Sequence, residues 1–161
     1  RNINYWTKFE PRQKGFYYTE YSQQNKIMES MRLRSVQLEY LCGIYDVETN
    51  ALNGQISLYA IKRLPFSSCF IGYALDEQYS GKGIMSEAVL LMVQFAFSTL
   101  KLNRVEAYVS PNNIGSIRVL EKAGFLQEGL LKQLLYINGQ WEDHYLYAIT
   151  RTKYETDLGN E

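Results

Sequence analysis

Residues 78 to 88 of the chain, QYSGKGIMSEA, place Gly81, Lys82 and Gly83 directly before a long run with helical apolar spacing. The first N–H groups of a helix have no acceptor within the helix and carry the positive end of its dipole. Glycines let an anion approach that backbone closely and can adopt left-handed angles. The stretch therefore predicts a phosphate-binding turn, although a flexible strand-to-helix turn would explain the glycines equally well.

Two common phosphate motifs do not fit this stretch. A P-loop reads GxxxxGK followed by Ser or Thr, but Asp76 stands five residues before Gly81, and Gly83 follows Lys82. The dinucleotide pattern GxGxxG would need a third glycine where the chain has Ser86. The pattern that does fit is QxxGxG, formed by Gln78 and the two glycines.

A second motif, NNIGSIRVLEKAGF, follows at residues 112 to 125. Together the two motifs resemble those of the GNAT superfamily of acetyl-CoA-dependent N-acetyltransferases. The fuller string from Gly72 to Gly129 is similar to the Rim-type branch, which acetylates N-terminal amines of ribosomal proteins. The resemblance extends from about Gly54 to Ile149 and is thin before that.

The resemblance implies an α/β (α+β) fold with a mixed, mostly antiparallel sheet, flanked by helices, whose parallel central strands splay at the cofactor cleft. It implies one domain over residues 1–161 that lacks the family's first strand and helix. The acyl donor would be acetyl-CoA, its pantetheine arm on the strand edge from Ile71 to Leu75 and its pyrophosphate on the glycine loop. Asn113 would bond the pantetheine or only cap the following helix. The residues implied for cofactor binding are Tyr73, Leu75, Gln78, Gly81, Lys82, Gly83, Ile84, Met85, Asn113 and Ser116.

The resemblance also bears on catalysis. Many members place a tyrosine acid seven residues after the asparagine, but this chain has Leu120 there. Rim-type relatives instead use a serine that matches Ser116, which is our candidate acid. Some relatives carry, on the following strand, a glutamate that acts as the general base, but this chain has Leu135 at that position. Glu39 is a possible replacement. Because an α-amino group has a pKa of about 7.7–8.0, a water chain could also serve as the base.

Apolar spacing predicts the elements that position these residues. A helix is expected within residues 18–35, where Tyr21, Ile27, Met28, Met31 and Leu33 form one face. Strands are expected at 36–46, 54–64, 69–75 and 103–109, and helices at Ile84–Leu100 and Ile114–Ala123. A final hairpin turns at Asn138-Gly139, and the tail after Arg151 is expected to fray.

Composition and charge indicate which partners and cofactors to expect. The 161 residues are 46% apolar and 21% charged, with a formal net charge of zero, so we do not expect nucleic acid as a partner. No apolar stretch approaches the roughly 20 residues of a membrane span, so we do not expect a membrane either. Cys42 and Cys69 lie far apart in apolar runs, as in a reduced cytoplasmic protein. The lone His144 has no metal-ligand neighbours in sequence, so no metal is expected.

The leading hypothesis is an Nα-acetyltransferase acting on the N-terminal amine of a ribosomal or other protein, as a monomer or homodimer. The alternatives are an acetyltransferase for small amines and an acyl-CoA sensor without catalysis. Leu120 and Leu135 support keeping the sensor as an alternative hypothesis, since both stand at positions where relatives carry catalytic groups.

Overall fold

The computed structural model of the chain describes residues 2–159, which form five α-helices and six β-strands. The helices are α1 (Ile3–Trp6), α2 (Glu20–Ser35), α3 (Ile84–Ser98), α4 (Ile114–Lys122) and α5 (Arg151–Leu158). The strands are β1 (Tyr40–Tyr45), β2 (Leu52–Lys62), β3 (Ser68–Leu75), β4 (Arg104–Val109), β5 (Leu126–Ile137) and β6 (Gln140–Thr150). They form one mixed sheet in the order β1-β2-β3-β4-β6-β5, which confirms the predicted fold class.

The single parallel pair in the described sheet lies at its centre. β3 and β4 pair only over three residues each, from Ser68 to Phe70 and from Arg104 to Glu106. The other four pairs are antiparallel, and β2 pairs with β3 as far as Leu75. The carboxyl ends of β3 and β4 therefore part, as predicted, and open a cleft in the middle of the sheet.

One face of the sheet is covered by α3 and α4. The three-and-four spacing of α3 turns Val89, Val93 and Ala96 inward, and each is fully buried. They pack with the inward residues of the central strands, such as Leu58 and Val105. Because burying a Val or Leu side chain contributes about 1.5–3 kcal/mol, this layer fixes α3 and the start of α4 against the cleft.

Several sequence predictions are corrected. β1 begins at Tyr40 rather than Val36, since α2 continues to Ser35 and Gln37 takes a φ of 58°. The apolar face predicted for α2 is mostly exposed, with Met28 and Met31 each 66% accessible. The apolar runs around both cysteines indicate core packing, but only Cys69 is buried and Cys42 is exposed.

The chain after Arg151 also differs from the prediction, because it forms α5 instead of fraying. The Thr150 hydroxyl caps this helix by accepting from Lys153 N–H at 3.3 Å. The Arg151 guanidinium donates to the Leu102 carbonyl, and the Tyr154 ring packs 5.3 Å from that of Phe97. Residues 160 and 161 lie outside the described part.

Candidate active site

The glycine loop joins the end of β3 to the start of α3. Gly81 and Gly83 have φ of 76° and 82°, a region that L side chains rarely adopt. Gly83 is the N-cap of α3 and has no side chain that could accept a hydrogen bond. The first backbone N–H groups of the helix are therefore left without a side-chain cap. A Cβ on either glycine would meet nothing within 4 Å. Open space before free helix N–H groups is what a pyrophosphate requires, so the loop fits that group.

The other loop residues predicted to bind the cofactor lie next to the two glycines in the chain. Ile84 and Met85 begin α3, and Met85 is buried in the hydrophobic core. The Gln78 side chain is exposed, while its backbone N–H donates to the Asp76 carboxylate at 3.0 Å. The Lys82 ammonium lies 5.0 Å from the centroid of the Tyr79 ring, where it adds positive charge beside the helix terminus.

The cleft between β3 and β4 begins past Phe70, so the edge of β3 from Ile71 to Leu75 has no strand partner on the β4 side. The Leu75 carbonyl at the mouth accepts a hydrogen bond from the Trp6 indole at 2.8 Å. An extended amide-bearing chain such as pantetheine can bond to the unpaired backbone of a strand edge. The cleft therefore fits the pantetheine arm that the resemblance implies for it. One lone pair of the Leu75 carbonyl already accepts the hydrogen bond from the Trp6 indole.

A pair of hydroxyl groups spans this cleft. The Tyr73 hydroxyl on β3 lies 2.8 Å from the Ser116 hydroxyl on α4 and also donates to the Ser116 carbonyl at 3.4 Å. Burial raises the pKa of Tyr73 to about 12, against which the Ser116 hydrogen bond acts in the other direction. Tyr73 is thus a neutral phenol that can donate a proton to Ser116 or hold its hydroxyl in place.

The cap of α4 shows whether the Ser116 hydroxyl is needed to cap the helix or is free for another role. The Asn113 side chain accepts from Ser116 N–H at 3.1 Å, as the capping prediction required. Since Asn113 caps the helix, the Ser116 hydroxyl is not needed for that purpose and faces Tyr73 instead. The amide nitrogen of Asn113 keeps its donors for a ligand.

Two other sequence-derived positions lie apart from this pair. Leu120, where many relatives carry a tyrosine acid, is completely buried in the core. Glu39 lies just before β1, the edge strand two positions away from β3, and it is level with the closed end of the cleft. Because neighbouring strands are about 4.8 Å apart, the structure does not bring Glu39 together with Ser116.

Sequence reasoning missed the N-terminal segment as a link between the two sides of the cleft mouth. On the β3 side, the Tyr5 hydroxyl lies 3.0 Å from that of Ser80, in addition to the Trp6 bond described above. On the hairpin side, the Asn138 side-chain amide donates to the Thr7 carbonyl at 2.9 Å. We call residues 2–9 the strap. The aromatic run NYWTKFEP was its only sequence signal, and it indicates either part of the acceptor-side wall, through Tyr5, Trp6 and Phe9, or, more often, packing alone.

The site contains no recognisable metal centre within the described residues 2–159, where no three His, Cys, Asp or Glu side chains are grouped as ligands. His144 is buried in β6, and its Nδ1 lies 3.3 Å from the Glu142 carbonyl. Among the same residues, no helix is long and apolar enough to cross a membrane.

The fold, the cleft and the loop together define an acyl-CoA-dependent acyltransferase. The family model of the acetyltransferase (GNAT) domain matches residues 3–126, and the chain belongs to this family. It is therefore an N-acetyltransferase, and acetyl-CoA is its acyl donor.

Individual relatives agree with this assignment. The chain is 45% identical to the probable N-acetyltransferase YjcK of Bacillus subtilis over 148 residues, which is 92% of this chain and 82% of YjcK. The structure of a ribosomal-protein-S5-alanine acetyltransferase from Vibrio fischeri aligns with a TM-score of 0.90 at 33% identity, covering 93% of this chain and 82% of that one. RimL, a ribosomal L7/L12 α-N-protein acetyltransferase in complex with coenzyme A, aligns with a TM-score of 0.81 at 26% identity, covering 92% and 81%.

Proposed function

We propose that this N-acetyltransferase acetylates the N-terminal amine of a protein, with Ser116 as the proton donor to the departing thiolate. The observation that carries the catalytic part is the Tyr73–Ser116 hydroxyl pair beside an uncapped α3 terminus. The protein acceptor is supported by relatives named as ribosomal-protein acetyltransferases.

The residues of the chain divide the work in this proposal. The backbone N–H groups of Gly81, Gly83 and the first turn of α3 hold the pyrophosphate, and Lys82 adds a point charge. The edge of β3 and the Asn113 amide orient the pantetheine. Acetyl-CoA supplies the activated acetyl group when bound.

Acetyl transfer produces a thiolate, and the hydroxyl pair is suited to neutralise it. The Ser116 hydroxyl gives its proton to the sulfur while the Tyr73 hydroxyl donates a hydrogen bond to the Ser116 oxygen, which stabilises the negative charge there until solvent restores the serine proton. A phenol with a pKa of about 12 remains protonated throughout the neutral range and can serve as this donor. A sensor that only bound acyl-CoA would not need such a pair.

The test is thiol release from acetyl-CoA with hexapeptides starting in Ala, Ser or Met, the same peptides with blocked N-termini, and the small amines spermidine and butylamine. We expect turnover with at least one free N-terminus and none with its blocked form. Turnover confined to the small amines would contradict the protein acceptor. Binding of acetyl-CoA without turnover of any acceptor would contradict the catalytic role of Ser116 and favour the sensor.

A further inference from the structure

A cavity of about 490 Å³ lies beyond the end of β4, between the loop that leads to α4 and the β5–β6 hairpin. It is lined by Ser110, Pro111, Asn112, Lys132, Gln133, Trp141, Glu142 and Asp143. A second cavity of about 90 Å³ adjoins Lys8 and Phe9 of the strap, and the two share Ser110, Asn112 and Glu142. Pockets of about 300–1,000 Å³ hold small ligands, so the larger cavity can take a terminal residue and its side chain.

The wall formed by β5 is shaped by a bulge. The pairing with β6 is irregular between Leu131 and Leu135, and Gln133 has a φ of 50°. Asp143 holds this bulge, accepting from Lys132 Nζ at 2.5 Å and from Gln133 N–H at 2.8 Å. The Lys132 hydrogen bond, followed by that of Gln133, lowers the pKa of Asp143, so this carboxylate is ionised and committed to the protein.

Glu142 differs from its neighbour. Its carboxylate lines both cavities and is half-buried, yet no hydrogen bond or ion pair reaches it from any of residues 2–159. The nearby cations are engaged elsewhere, since Lys132 pairs with Asp143 and Lys8 lies over the Tyr5 ring at 5.6 Å. A partly desolvated carboxylate without a partner favours a cationic ligand.

The remaining surfaces of the cavity suit an ammonium group carried on an organic chain. With the Lys132–Asp143 pair neutral, Glu142 leaves the larger cavity with one negative charge. The Trp141 ring, 60% exposed beside it, can pack against an apolar side chain or the face of a cation. Loop 110–112, which forms the opposite wall, continues directly into Asn113 and the turn that carries Ser116.

We propose that this cavity is the acceptor site and that Glu142 binds the primary ammonium of the acceptor and takes its proton. The proposal rests on the function proposed above. Glu142 lies directly opposite Leu135 in the β5–β6 pair, so the two side chains share a face of the sheet. The carboxylate missing from β5 at Leu135 is thereby supplied by the neighbouring strand.

The proton balance is complete with the groups present. The ammonium gives one proton to the Glu142 carboxylate, which passes it to solvent, and the freed lone pair forms the C–N bond with the thioester carbonyl. The nitrogen loses its second proton to solvent water as the C–S bond breaks, with the electron pair going to sulfur. The Ser116 hydroxyl protonates the thiolate and is itself re-protonated from solvent, which holds the proton that the nitrogen released. The net reaction yields the acetamide, free thiol and one released proton.

The first test measures binding without turnover. Calorimetry follows the three hexapeptides, spermidine and butylamine added to the protein saturated with coenzyme A. We expect at least one free amine to bind, its N-acetylated form to bind about tenfold or more weakly, and Glu142→Gln to remove that difference. The variant Glu155→Gln, which removes an exposed carboxylate on α5, is the control and should bind like the wild type.

The second test measures rate with the best acceptor. Glu142→Gln should lower kcat/KM for that acceptor by about 100-fold, as expected for loss of a base, with the Kd for acetyl-CoA unchanged within about twofold. Ammonium binding that depends on Glu142 without any turnover would contradict the proposed function but uphold the site. The site would be overturned, even if the enzyme turns over, by either of two results. One is that no free amine binds better than its acetylated form, and the other is that Glu142→Gln binds the amine as well as the wild type does.

Discussion

At the scale of single residues, the proposed chemistry depends on side chains that face each other from different elements. The sequence predicted Ser116 from its motif, but Tyr73 was predicted only as part of a strand edge. Its side chain reaches Ser116 because Ile71, Tyr73 and Leu75 alternate onto the face covered by α3 and α4. Glu142 was not predicted at all, since one glutamate in a polar hairpin cannot be distinguished from a surface residue without its cross-strand neighbour.

The hydroxyl pair makes a kinetic prediction. Ser116→Ala should lower kcat by about 100-fold, the usual scale for a lost general acid. Tyr73→Phe should lower it by about five- to tenfold, because it removes one neutral hydrogen bond worth about 1 kcal/mol. In the Ser116→Ala background, Tyr73→Phe should have almost no further effect, since the two hydroxyls act through one bond.

Steady-state kinetics of the two single variants and the double variant test this coupling. Tyr45→Phe, at an exposed position on β1, is the matched control and should behave like the wild type. The Kd for acetyl-CoA should change by no more than about twofold in any of them. If the two rate losses multiplied in the double variant, Tyr73 would act independently of Ser116.

The same phenol makes a prediction about stability in alkali. Tyr73 has a pKa near 12 in the folded protein and near 10 when unfolded, so the unfolded chain loses this proton first as the pH rises. The free energy of unfolding should therefore decrease as the pH rises from about 10 to about 12. Below about pH 9, Tyr73 should not affect it. From pH 9.5 to 11.5 the wild type should lose about 2 kcal/mol more than Tyr73→Phe, because the variant has no phenol there. Urea unfolding at a series of pH values measures the difference, and parallel curves would contradict the buried state of this hydroxyl.

At the scale of elements, the parts with strong local signals were predictable. The apolar spacing of α3, the Asn113 cap, and the Asn138-Gly139 turn with φ of 50° and 91° all agree with the sequence. The β5 bulge was not predictable, because it depends on Asp143, which holds Gln133 from the opposite strand. The helix at Arg151 was missed for a similar reason, since a polar segment becomes ordered here through its contacts with Leu102 and Phe97.

The glycine loop yields a prediction with an internal control. Gly83→Val should raise the Kd for acetyl-CoA by about tenfold or more, because the side chain would fill the open space before the α3 terminus. Gly139→Val introduces the same kind of strain, at a φ of 91° and also with nothing within 4 Å of the new Cβ, but in the hairpin turn. Both variants should lose about 1–2 kcal/mol of stability, and only Gly83→Val should lose affinity.

Titration calorimetry with acetyl-CoA and urea unfolding separate these two effects. An unchanged Kd for Gly83→Val would remove the pyrophosphate from this loop. Equal loss of affinity in both variants would attribute the effect to general destabilisation.

At the scale of the whole molecule, the cleft divides the sheet into two halves that the strap rejoins. On one side β1, β2 and β3 form an antiparallel unit, and on the other β4, β6 and β5 form a second. Within the described residues the halves are paired only through the short parallel register at the closed end of the cleft. The strap crosses the open end, and Lys8 and Phe9 place it against the smaller cavity beside Glu142. A motion of the strap would therefore alter the cavity that we propose for the acceptor.

The strap gives the last prediction, which concerns how firmly the two halves are joined. Trp6→Phe retains an aromatic ring but removes the donor to Leu75, and Asn138→Gly retains the left-handed turn but removes the donor to Thr7. Each bond contributes about 1 kcal/mol, so each variant should speed tryptic cleavage after Lys8 about fivefold. Cleavage requires both ends to detach, which means that the double variant should be cut about 25-fold faster. Mass spectrometry of timed digests measures the rates, with Trp141→Phe as the control at an exposed indole and urea unfolding to show that global stability is retained. Cleavage that is no faster in Trp6→Phe than in the wild type would mean that the indole bond does not hold the strap across the mouth.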